Sequence, residues 1–239
     1  MGKKVVIVGG VAGGASAVAR LRRLDEFAEI ILFERDEHIS FANCGLPYYI
    51  GETIRDRGKL LVQTPAAMRA RFAIDVRTHS EVTAVDPVRK VITVVNRDKG
   101  RYEESYDALL LSPGAQPVRP PLPGIDSSRI FTLRNIPDTD QIKDWVDREH
   151  SKRAVVIGGG FIGVEMAENL RERGLAVSLA EAAPHILPPF DSDMALIVEK
   201  ELTKHGVALY LGDGVAGFAE TADDITVTLQ SGRQLPADM

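Results

Sequence analysis

The sequence lacks a second cysteine, an excess of basic residues and any long apolar run. Cys44 is the only cysteine among 239 residues, so the chain cannot form an internal disulfide. The formal net charge is −5 at pH 7, which argues against nucleic-acid binding, because neutralising phosphates requires a basic face. The apolar run from Val5 to Val8 is too short for a signal peptide or a membrane span, so no membrane association is expected. Together these absences favour a cytoplasmic protein in a reducing compartment.

The sequence also lacks the residue spacings that are typical of metal sites. Its histidines are scattered and do not pair with the single cysteine at ligand spacing, so we expect no metal. They are His38, His79, His150, His185 and His205. What the chain does contain is 44% hydrophobic residues, enough for real cores, which favours one or two globular domains.

The first half of the chain reads as an α/β domain. Apolar runs predict buried strands over 4–8 and 29–34, with a Gly-rich turn over 9–14 and a helix over 15–24 between them. Thr64 and Pro65 are typical of a helix start, and that helix is expected to reach about 72. Alternating apolar residues over 81–106 predict an inserted antiparallel hairpin, before another buried strand over 108–111.

The second half repeats the β-α-β pattern after a proline-rich stretch. We predict a strand over 154–157, a Gly-rich turn over 158–163, a helix over 164–173 and a strand over 176–181. A helix capped by Asp191, a strand over 207–211 and a hairpin over 225–235 follow. The fold class is therefore α/β, with two Rossmann-like domains and an inserted antiparallel hairpin or meander.

The predicted boundaries follow the prolines. The first domain spans 1–115, the Pro-rich linker and the start of the second domain span 116–150, and the rest of the second domain spans 151–239. Few residues follow the second Gly-rich turn, fewer than a complete dinucleotide-binding domain uses. We therefore expect the second domain to lack C-terminal elements, and we expect the same of the first domain.

The second Gly-rich turn is the clearer nucleotide-binding pattern. Gly158 allows the tight turn, Gly160 lets the backbone approach a pyrophosphate, and Gly163 lets the helix pack on the strand. Glu181 ends the next strand, where a carboxylate can accept from ribose hydroxyls and would repel a 2′-phosphate. No arginine directly follows Glu181, so NADH is favoured over NADPH, which remains possible.

The first Gly-rich turn is less regular. Gly9 and Gly14 fit the same pattern, but Val11 stands where the middle glycine is expected. Glu34 ends the following strand, as Glu181 does in the second half. From these residues alone, an ordinary Gly-rich turn remains an alternative.

Cys44 lies in an unusual neighbourhood. A lone cysteine is more often a small buried residue than a nucleophile. However, its neighbours Ser40, Asn43 and Gly45 are small or polar, and a short apolar stretch that could begin a helix follows. The positive end of a helix favours a thiolate, so Cys44 becomes a candidate nucleophile.

Several segments of the chain resemble one enzyme family. They are Gly9-Gly-Val-Ala-Gly-Gly14, Ser40-Phe-Ala-Asn-Cys-Gly-Leu-Pro-Tyr-Tyr-Ile-Gly51, Ser112-Pro-Gly-Ala115, Pro121-Leu-Pro-Gly124 and Gly158-Gly-Gly-Phe-Ile-Gly163-Val-Glu165. They are similar to the pyridine nucleotide-disulfide oxidoreductases with one active-site cysteine, the group of coenzyme A-disulfide reductases and their persulfide-reducing relatives. The resemblance covers essentially the whole chain, and the segment around Cys44 is its most specific part.

The resemblance implies two cofactors and a catalytic thiol. FAD would bind the first domain, NADH or NADPH the second, and Cys44 would carry a mixed disulfide or persulfide that receives the electrons. The implied FAD-binding residues are Gly9, Val11, Ala12, Gly13, Gly14, Glu34, Arg35, Val82, Ser112, Pro113 and Gly114. The implied NAD(P)H-binding residues are Gly158, Gly160, Phe161, Ile162, Gly163 and Glu181.

The resemblance also implies a substrate of the coenzyme A type, as a disulfide or a persulfide. The implied substrate-binding residues are Ser16, Arg20, Arg23, Ser40, Asn43 and Arg71. Arginines suit the phosphates of coenzyme A. For Arg20, Arg22 and Arg23, a solvated helix face remains an equally good reading.

Two alternatives stay open. Related NADH oxidases and peroxidases cycle one cysteine through sulfenic acid, but they carry a histidine in the first Gly-rich turn where this chain has Ala12. Family members also continue into a dimerisation domain that is expected to be absent here. The full-length protein should therefore be a homodimer, and this chain could be a truncated, non-catalytic nucleotide-binding piece.

Overall fold

The computed structural model describes residues 2–148 and 151–239. The helices are α1 (Gly13–Leu24), α2 (Leu46–Ile50), α3 (Pro65–Phe72), α4 (Ile136–Asp147), α5 (Phe161–Glu172) and α6 (Ser192–Lys204). The strands are β1 (Lys4–Val8), β2 (Glu29–Phe33), β3 (Asp75–Arg77), β4 (Ser80–Asp86), β5 (Val91–Asn96), β6 (Gly100–Ser105), β7 (Ala108–Leu111), β8 (Arg153–Ile157), β9 (Ala176–Glu181), β10 (Ala208–Leu211), β11 (Val215–Glu220), β12 (Ile225–Leu229) and β13 (Gln234–Ala237). Short 3-10 helices cover Asn43–Gly45 and Arg57–Leu60.

Contacts divide the chain into two units. Unit 1 comprises 1–42 and 58–116, and unit 2 comprises 43–57 and 117–239. The segment 43–57, which carries Cys44, therefore groups with unit 2, although it lies inside the range 1–115 expected for the first domain. The range expected as a linker contains α4, which also belongs to unit 2.

Unit 1 is organised around a parallel sheet with strand order β3-β2-β1-β7. Val6 of β1 lies between Ile31 of β2 and Leu109 of β7. Successive side chains of a strand point to opposite faces of the sheet, so an apolar run such as β1 needs cover on both faces. Ile7 packs in the cluster that includes residues of α1 and α3, and Val6 packs in the cluster that includes β5.

Unit 2 contains a second parallel sheet with strand order β10-β9-β8. Its main core joins residues of α2, α4, α5 and α6 to those of β8 and β9, and Ile50 and Leu179 are fully buried there. A separate antiparallel sheet, β11-β12-β13, packs against the parallel sheet through a cluster that contains Ala180 and Val227.

The predicted α/β class with two Rossmann-like halves is confirmed, with differences in detail. The inserted element is the meander of the two predicted forms, the antiparallel sheet β4-β5-β6, whereas β3 and β11 were not predicted. Helices α1 and α5 begin earlier than predicted, at Gly13 and Phe161, inside the Gly-rich turns. Asp191 holds the N-cap position of α6, but its backbone carbonyl, not its side chain, accepts from the helix.

Two absences predicted from the sequence can be compared with the described residues, which do not include His150. No helix within 2–148 or 151–239 is long and apolar enough to cross a membrane. In the same residues, no group of three or more His, Cys, Asp or Glu side chains is arranged to hold a metal ion.

Candidate functional site

The Gly-rich turn of unit 1 is tight because its first and last residues, Gly9 and Gly14, have no side chains. Gly9 has φ +94°, and a Cβ there would lie 2.0 Å from the carbonyl oxygen of Ser112. A Cβ on Gly14 would lie 1.8 Å from the carbonyl oxygen of Gly9. The first and last glycines therefore let the turn and α1 pack on β1, as the pattern predicts. The first turn of α1 is uncharged, and Ala12 and Gly13 are exposed, so this helix end can accept an anion.

Glu34 directly follows β2, and its carboxylate contacts this turn. Its Oε2 accepts from the backbone N–H of Gly10 at 2.7 Å, and its Oε1 accepts from that of Asp36 at 3.1 Å. The residue is only 7% exposed, so the two amides compensate for the burial of its charge. The carboxylate is thereby held at the end of the strand, where a ribose would be recognised.

The turn of unit 2 has the same construction with a more open middle. Gly158 has φ +97°, and a Cβ on Gly163 would lie 1.9 Å from the Gly158 carbonyl oxygen. A Cβ on Gly160, by contrast, would have no heavy atom of the described residues within 4 Å. Gly160 is the N-cap of α5, so its open side is where a pyrophosphate could approach the helix end. Phe161 and Ile162 are each 55% exposed beside it.

Glu181 repeats the geometry of Glu34. Its Oε2 accepts from the backbone N–H of Gly159 at 2.6 Å, and its Oε1 accepts from Ala183 at 2.7 Å. Gly159 also lies close to Ile186, so a Cβ there would be 2.9 Å from Cγ2 of Ile186.

The correspondence extends beyond the acids. Ser40 donates its backbone N–H to the Gly10 carbonyl at 2.9 Å, and Leu187 donates to the Gly159 carbonyl at 2.7 Å. Both residues have left-handed backbones, with φ of 45° and 51°. Each unit thus builds its turn, acid and following loop in the same way, with a polar side chain at Ser40 and an apolar one at Leu187.

The remaining residues expected to bind FAD frame the first turn or lie further along unit 1. Ser112 is half-buried, and its hydroxyl donates to the Val8 carbonyl at 3.1 Å. Arg35, Pro113 and Gly114 are exposed, and Val82 is half-buried on β4. These positions, with the cradle at Gly9 and Gly14, fit a dinucleotide in unit 1.

Cys44 is exposed, which is contrary to the ordinary fate of a lone cysteine. It lies in the 3-10 helix Asn43–Gly45, and α2 begins two residues later. The side-chain oxygen of Asn43, the residue before Cys44, is buried and has no hydrogen-bond partner among the described residues. The segment therefore combines an accessible thiol with a buried, unsatisfied acceptor.

Two acidic residues of α5, Glu165 and Glu168, lie near Tyr48 of α2, the helix that follows Cys44. Burial, then Glu165, Glu168 and Cys44, raise the pKa of Tyr48. Burial and the neighbouring Glu168 likewise raise the pKa of Glu165. Tyr48 therefore remains protonated at neutral pH and can act as a hydrogen-bond donor beside this negative surface. Tyr48 itself is half-buried.

Four charged residues close around the C-terminal end of α2. We name Glu52, Lys143, Asp147 and Arg173 the charge ring. Lys143 Nζ lies 3.0 Å from Glu52 and 3.1 Å from Asp147, and Arg173 contacts the same two carboxylates. The hydrogen bond from Lys143, followed by the charge of Arg173, lowers the pKa of Glu52. Sequence reasoning missed these residues, because they are far apart in the chain and belong to no motif.

Helix α1 carries the predicted basic face. Ser16, Arg20 and Arg23 are spaced four and three residues apart, so they share one face, and all three are exposed. Arg22 has a structural role instead, because its guanidinium donates to the carbonyl of Phe72 at 2.8 Å and to that of Ala73 at 3.0 Å. Arg71 is exposed at the end of α3. The solvated-face alternative is thereby excluded for Arg22 and stays open for Arg20 and Arg23.

Residues 3–239 match the pyridine nucleotide-disulphide oxidoreductase family. The chain belongs to this family. A coenzyme A disulfide reductase of Staphylococcus haemolyticus is 40% identical over 238 residues, which are 99% of this chain and 52% of that protein. The chain thus spans about half the length of the curated relatives that it matches.

Solved structures of longer proteins are also similar. The reduced Bacillus anthracis CoADR-RHD superposes with a TM-score of 0.96 at 52% identity, over 100% of this chain and 43% of that one. An NAD-dependent persulfide reductase from A. fulgidus superposes with a TM-score of 0.93 at 33% identity, over 99% of this chain and 44% of that one. Both agree with the two-unit α/β fold described above.

Proposed function

We propose that the protein, with FAD in unit 1 and NADH in unit 2, reduces a coenzyme A-type disulfide or persulfide through Cys44. The observation that carries the proposal is the exposure of the only thiol, in the segment that most resembles the family. FAD, when bound, supplies two-electron transfer between a nicotinamide and a disulfide. The names of the similar proteins support the substrate class.

The thiol chemistry of the chain is a disulfide exchange. The Cys44 thiolate attacks one sulfur of the substrate disulfide, forms a mixed disulfide, and releases one coenzyme A thiolate, which takes up a proton. Two electrons from NADH then cleave the mixed disulfide and return Cys44 to the thiolate, and a further proton lets the second coenzyme A leave as its thiol. With a persulfide, Cys44 attacks the outer sulfur and coenzyme A leaves as its thiolate, and two electrons from NADH then release the outer sulfur as hydrosulfide and return Cys44 to the thiolate.

We propose that positively charged and polar side chains hold the substrate. Arg20, Arg23 and Arg71 offer positive charge to the phosphates, and Ser16 and Ser40 offer hydroxyls. Asn43, the residue before Cys44, is the further substrate contact that the family resemblance implies. These roles predict that replacing Arg20 and Arg23 together by Ala raises KM for coenzyme A disulfide without changing KM for NADH.

For the cofactor, we propose NADH in preference to NADPH. The carboxylate of Glu181 occupies the end of β9, where a 2′-phosphate would meet its negative charge. The backbone amides that bind Glu181 keep that charge in place.

The decisive experiment is an anaerobic NADH titration of the flavin-loaded protein and its Cys44→Ser variant, with coenzyme A disulfide and coenzyme A persulfide as acceptors. We expect turnover by the native protein and none by the variant, because serine cannot form the mixed disulfide. Equal turnover by the variant would refute a sulfur relay. In a parallel titration in air, NADH consumption that needs oxygen instead of a disulfide would identify the oxidase alternative.

Two further predictions concern the protein as isolated. Copurification of FAD would support the first cofactor, whereas a flavin-free, aggregating sample would favour the non-catalytic alternative. A homodimer is proposed for the full-length protein, and its molar mass by light scattering tests that proposal.

A further inference from the structure

Helix α2, which follows Cys44, is too short to be stable without its neighbours. Helix α2 has five residues, far fewer than an isolated helix needs to be stable in water. Its position must therefore come from packing on its neighbours in unit 2. Ile50 at its end is fully buried in the main core of that unit.

Arg173, the C-cap residue of α5, fastens the end of this helix. Its Nη1 donates to the carbonyl oxygen of Ile50 at 2.8 Å, and its Nη2 forms an ion pair with Asp147 of α4. One guanidinium thus joins α2, α4 and α5, which its planar fork of donors makes possible. The side chain is 17% exposed, so solvent screens these contacts only in part.

Glu52 connects the end of α2 to α4 through Lys143. It follows α2 with a left-handed backbone, φ 65°, which is uncommon for a residue other than glycine and costs free energy. Its carboxylate meets Lys143 at 3.0 Å, and Lys143 also lies 5.5 Å from the ring centre of Tyr49. The charge ring therefore holds the last turn of α2 through both its backbone and its side chains.

A steric contact fixes the distance between α2 and α5. A Cβ added to Gly51 would lie 2.0 Å from Oδ1 of Asn169, and Asn169 is buried and bonded to the Glu165 carbonyl of its own helix. The backbone φ of Gly51 is −74°, a value that alanine adopts freely. Gly51→Ala therefore displaces α2 from α5 without changing a charge or straining the backbone.

We propose that Arg173, through the charge ring, is a positioning residue for Cys44. It fixes the helix that directly follows the thiol and so sets the direction of attack by Cys44. The inference rests on the proposed function, because it assigns Arg173 an effect on the thiol exchange. A displacement of a reacting group by about 1 Å can reduce a rate about 100-fold, so loss of this anchor should slow turnover more than it weakens nucleotide binding.

The test compares four variants of the flavin-loaded protein with the native protein. Arg173→Met removes the anchor, Arg173→Lys keeps its charge but not its fork, and Gly51→Ala displaces α2 sterically. Glu172→Gln is the control, since Glu172 is an exposed neighbour in the same helix turn. The readouts are kcat with coenzyme A disulfide, KM for NADH, and hydrogen exchange of the amides of Gly51, Glu52 and Ile54, whose bonds close α2.

We expect Arg173→Met and Gly51→Ala to lower kcat about tenfold or more and to leave KM for NADH within about twofold, which is the split that separates a loss in the chemical step from a loss of binding. The three amides should exchange faster in the same two variants. Arg173→Lys should recover part of kcat, and Glu172→Gln should match the native protein.

The outcomes separate the two proposals. If the native protein turns over and Gly51→Ala and Arg173→Met keep the native kcat, the positioning role is refuted while the proposed function stands. If the native protein reduces no disulfide or persulfide, the proposed function itself fails and this inference falls with it. If Arg173→Met does not fold, Arg173→Lys decides, because it keeps the charge and loses only the paired donors of the guanidinium, and a native kcat in that variant refutes the positioning role.

Discussion

The Oε2 atom of Glu181 lies 2.6 Å from the backbone nitrogen of Gly159, and it accepts the amide proton of that residue. The acid that would recognise a ribose is therefore fixed by the same turn that would hold the pyrophosphate. Glu34 and Gly10 form the equivalent pair in unit 1 at 2.7 Å. Each unit thus offers a matched control for experiments on the other.

Replacing Glu181 by Gln should shift nucleotide preference toward NADPH. The change removes the negative charge that a 2′-phosphate would meet, while the side-chain oxygen can still accept from Gly159. We expect the ratio of the NADPH and NADH dissociation constants to change by about tenfold, or about 1.4 kcal/mol. Quenching of nicotinamide fluorescence measures both constants. Glu34→Gln is the control, and a similar shift in that variant would contradict the assignment.

Replacing two glycines of the second turn by alanine should affect two different properties, stability at Gly163 and NADH binding at Gly160. Gly163→Ala places a Cβ 1.9 Å from the Gly158 carbonyl oxygen, so we expect a lower unfolding temperature. Gly160→Ala places its Cβ in open space, so the unfolding temperature should stay native while NADH binding weakens. Scanning calorimetry and NADH titration distinguish the two results. Native NADH affinity in Gly160→Ala would place the pyrophosphate elsewhere.

Glu104 should contribute more to stability than its neighbour Glu103. Glu104 on β6 is paired with both Lys4 of β1 and Arg77 of β3, and its side chain is 15% exposed. Removing a charged hydrogen-bond partner from such a site costs about 2 kcal/mol, so Glu104→Gln should lower the free energy of unfolding by about that amount. Urea unfolding measures it. Glu103→Gln, in an exposed pair with Arg89, should unfold at the native urea concentration.

The effect of Glu104→Gln should disappear in acid. Burial alone would raise the pKa of Glu104, but the hydrogen bonds from Lys4 and Arg77 outweigh it and hold the pKa below its usual value. A carboxyl with a lowered folded-state pKa stabilises the protein above its unfolded-state pKa of about 4.3 and loses that contribution as the pH falls through the folded-state pKa. Urea unfolding from pH 7 to pH 3 should therefore show the native and variant curves converging. A constant difference over this range would show that the pairing does not depend on the charge of Glu104.

Arg22 and Arg23 are adjacent in α1 and should separate stability from substrate binding. Arg22→Ala removes the guanidinium that joins α1 to the carbonyls of Phe72 and Ala73, so the free energy of unfolding should fall by about 2 kcal/mol. Arg23→Ala should leave stability native and raise KM for coenzyme A disulfide. Thermal unfolding and steady-state kinetics test both. The reverse pattern would assign Arg23 to the fold and remove it from the substrate site.

Much of the fold could be predicted because its signals are local. The apolar runs of β1, β2, β8 and β9 predict buried parallel strands. The glycines between strand and helix predict tight turns, and at Gly14 and Gly163 the structure leaves no room for a Cβ. Strand β3 has only three residues, and β11 has an irregular register with β12, so neither leaves a periodic pattern in the sequence. Their pairing depends on neighbours that are distant in the chain.

The candidate site was predictable only where chemistry is concentrated in a motif. Cys44 stands in a distinctive segment. Glu34 and Glu181 stand at the end of the strand that follows each glycine turn, so their positions indicated them. Arg173 and Lys143 gave no such signal, because an arginine or lysine on a helix is usually a solvated residue. Their role depends on where α2 packs, which is a property of the folded unit.

The assignment of 43–57 to unit 2 has a consequence for dissecting the protein. The chain passes from unit 1 to unit 2 at 42/43, returns at 57/58 and leaves again at 116/117. A fragment ending at 116 would therefore carry a strip of the other unit, with the apolar side chains of Leu46 and Ile50 deprived of their core. A protease that cuts once between 116 and 117 would likewise free neither unit intact. Each unit is built from two segments that are not consecutive in the chain, so no single cut yields either unit whole.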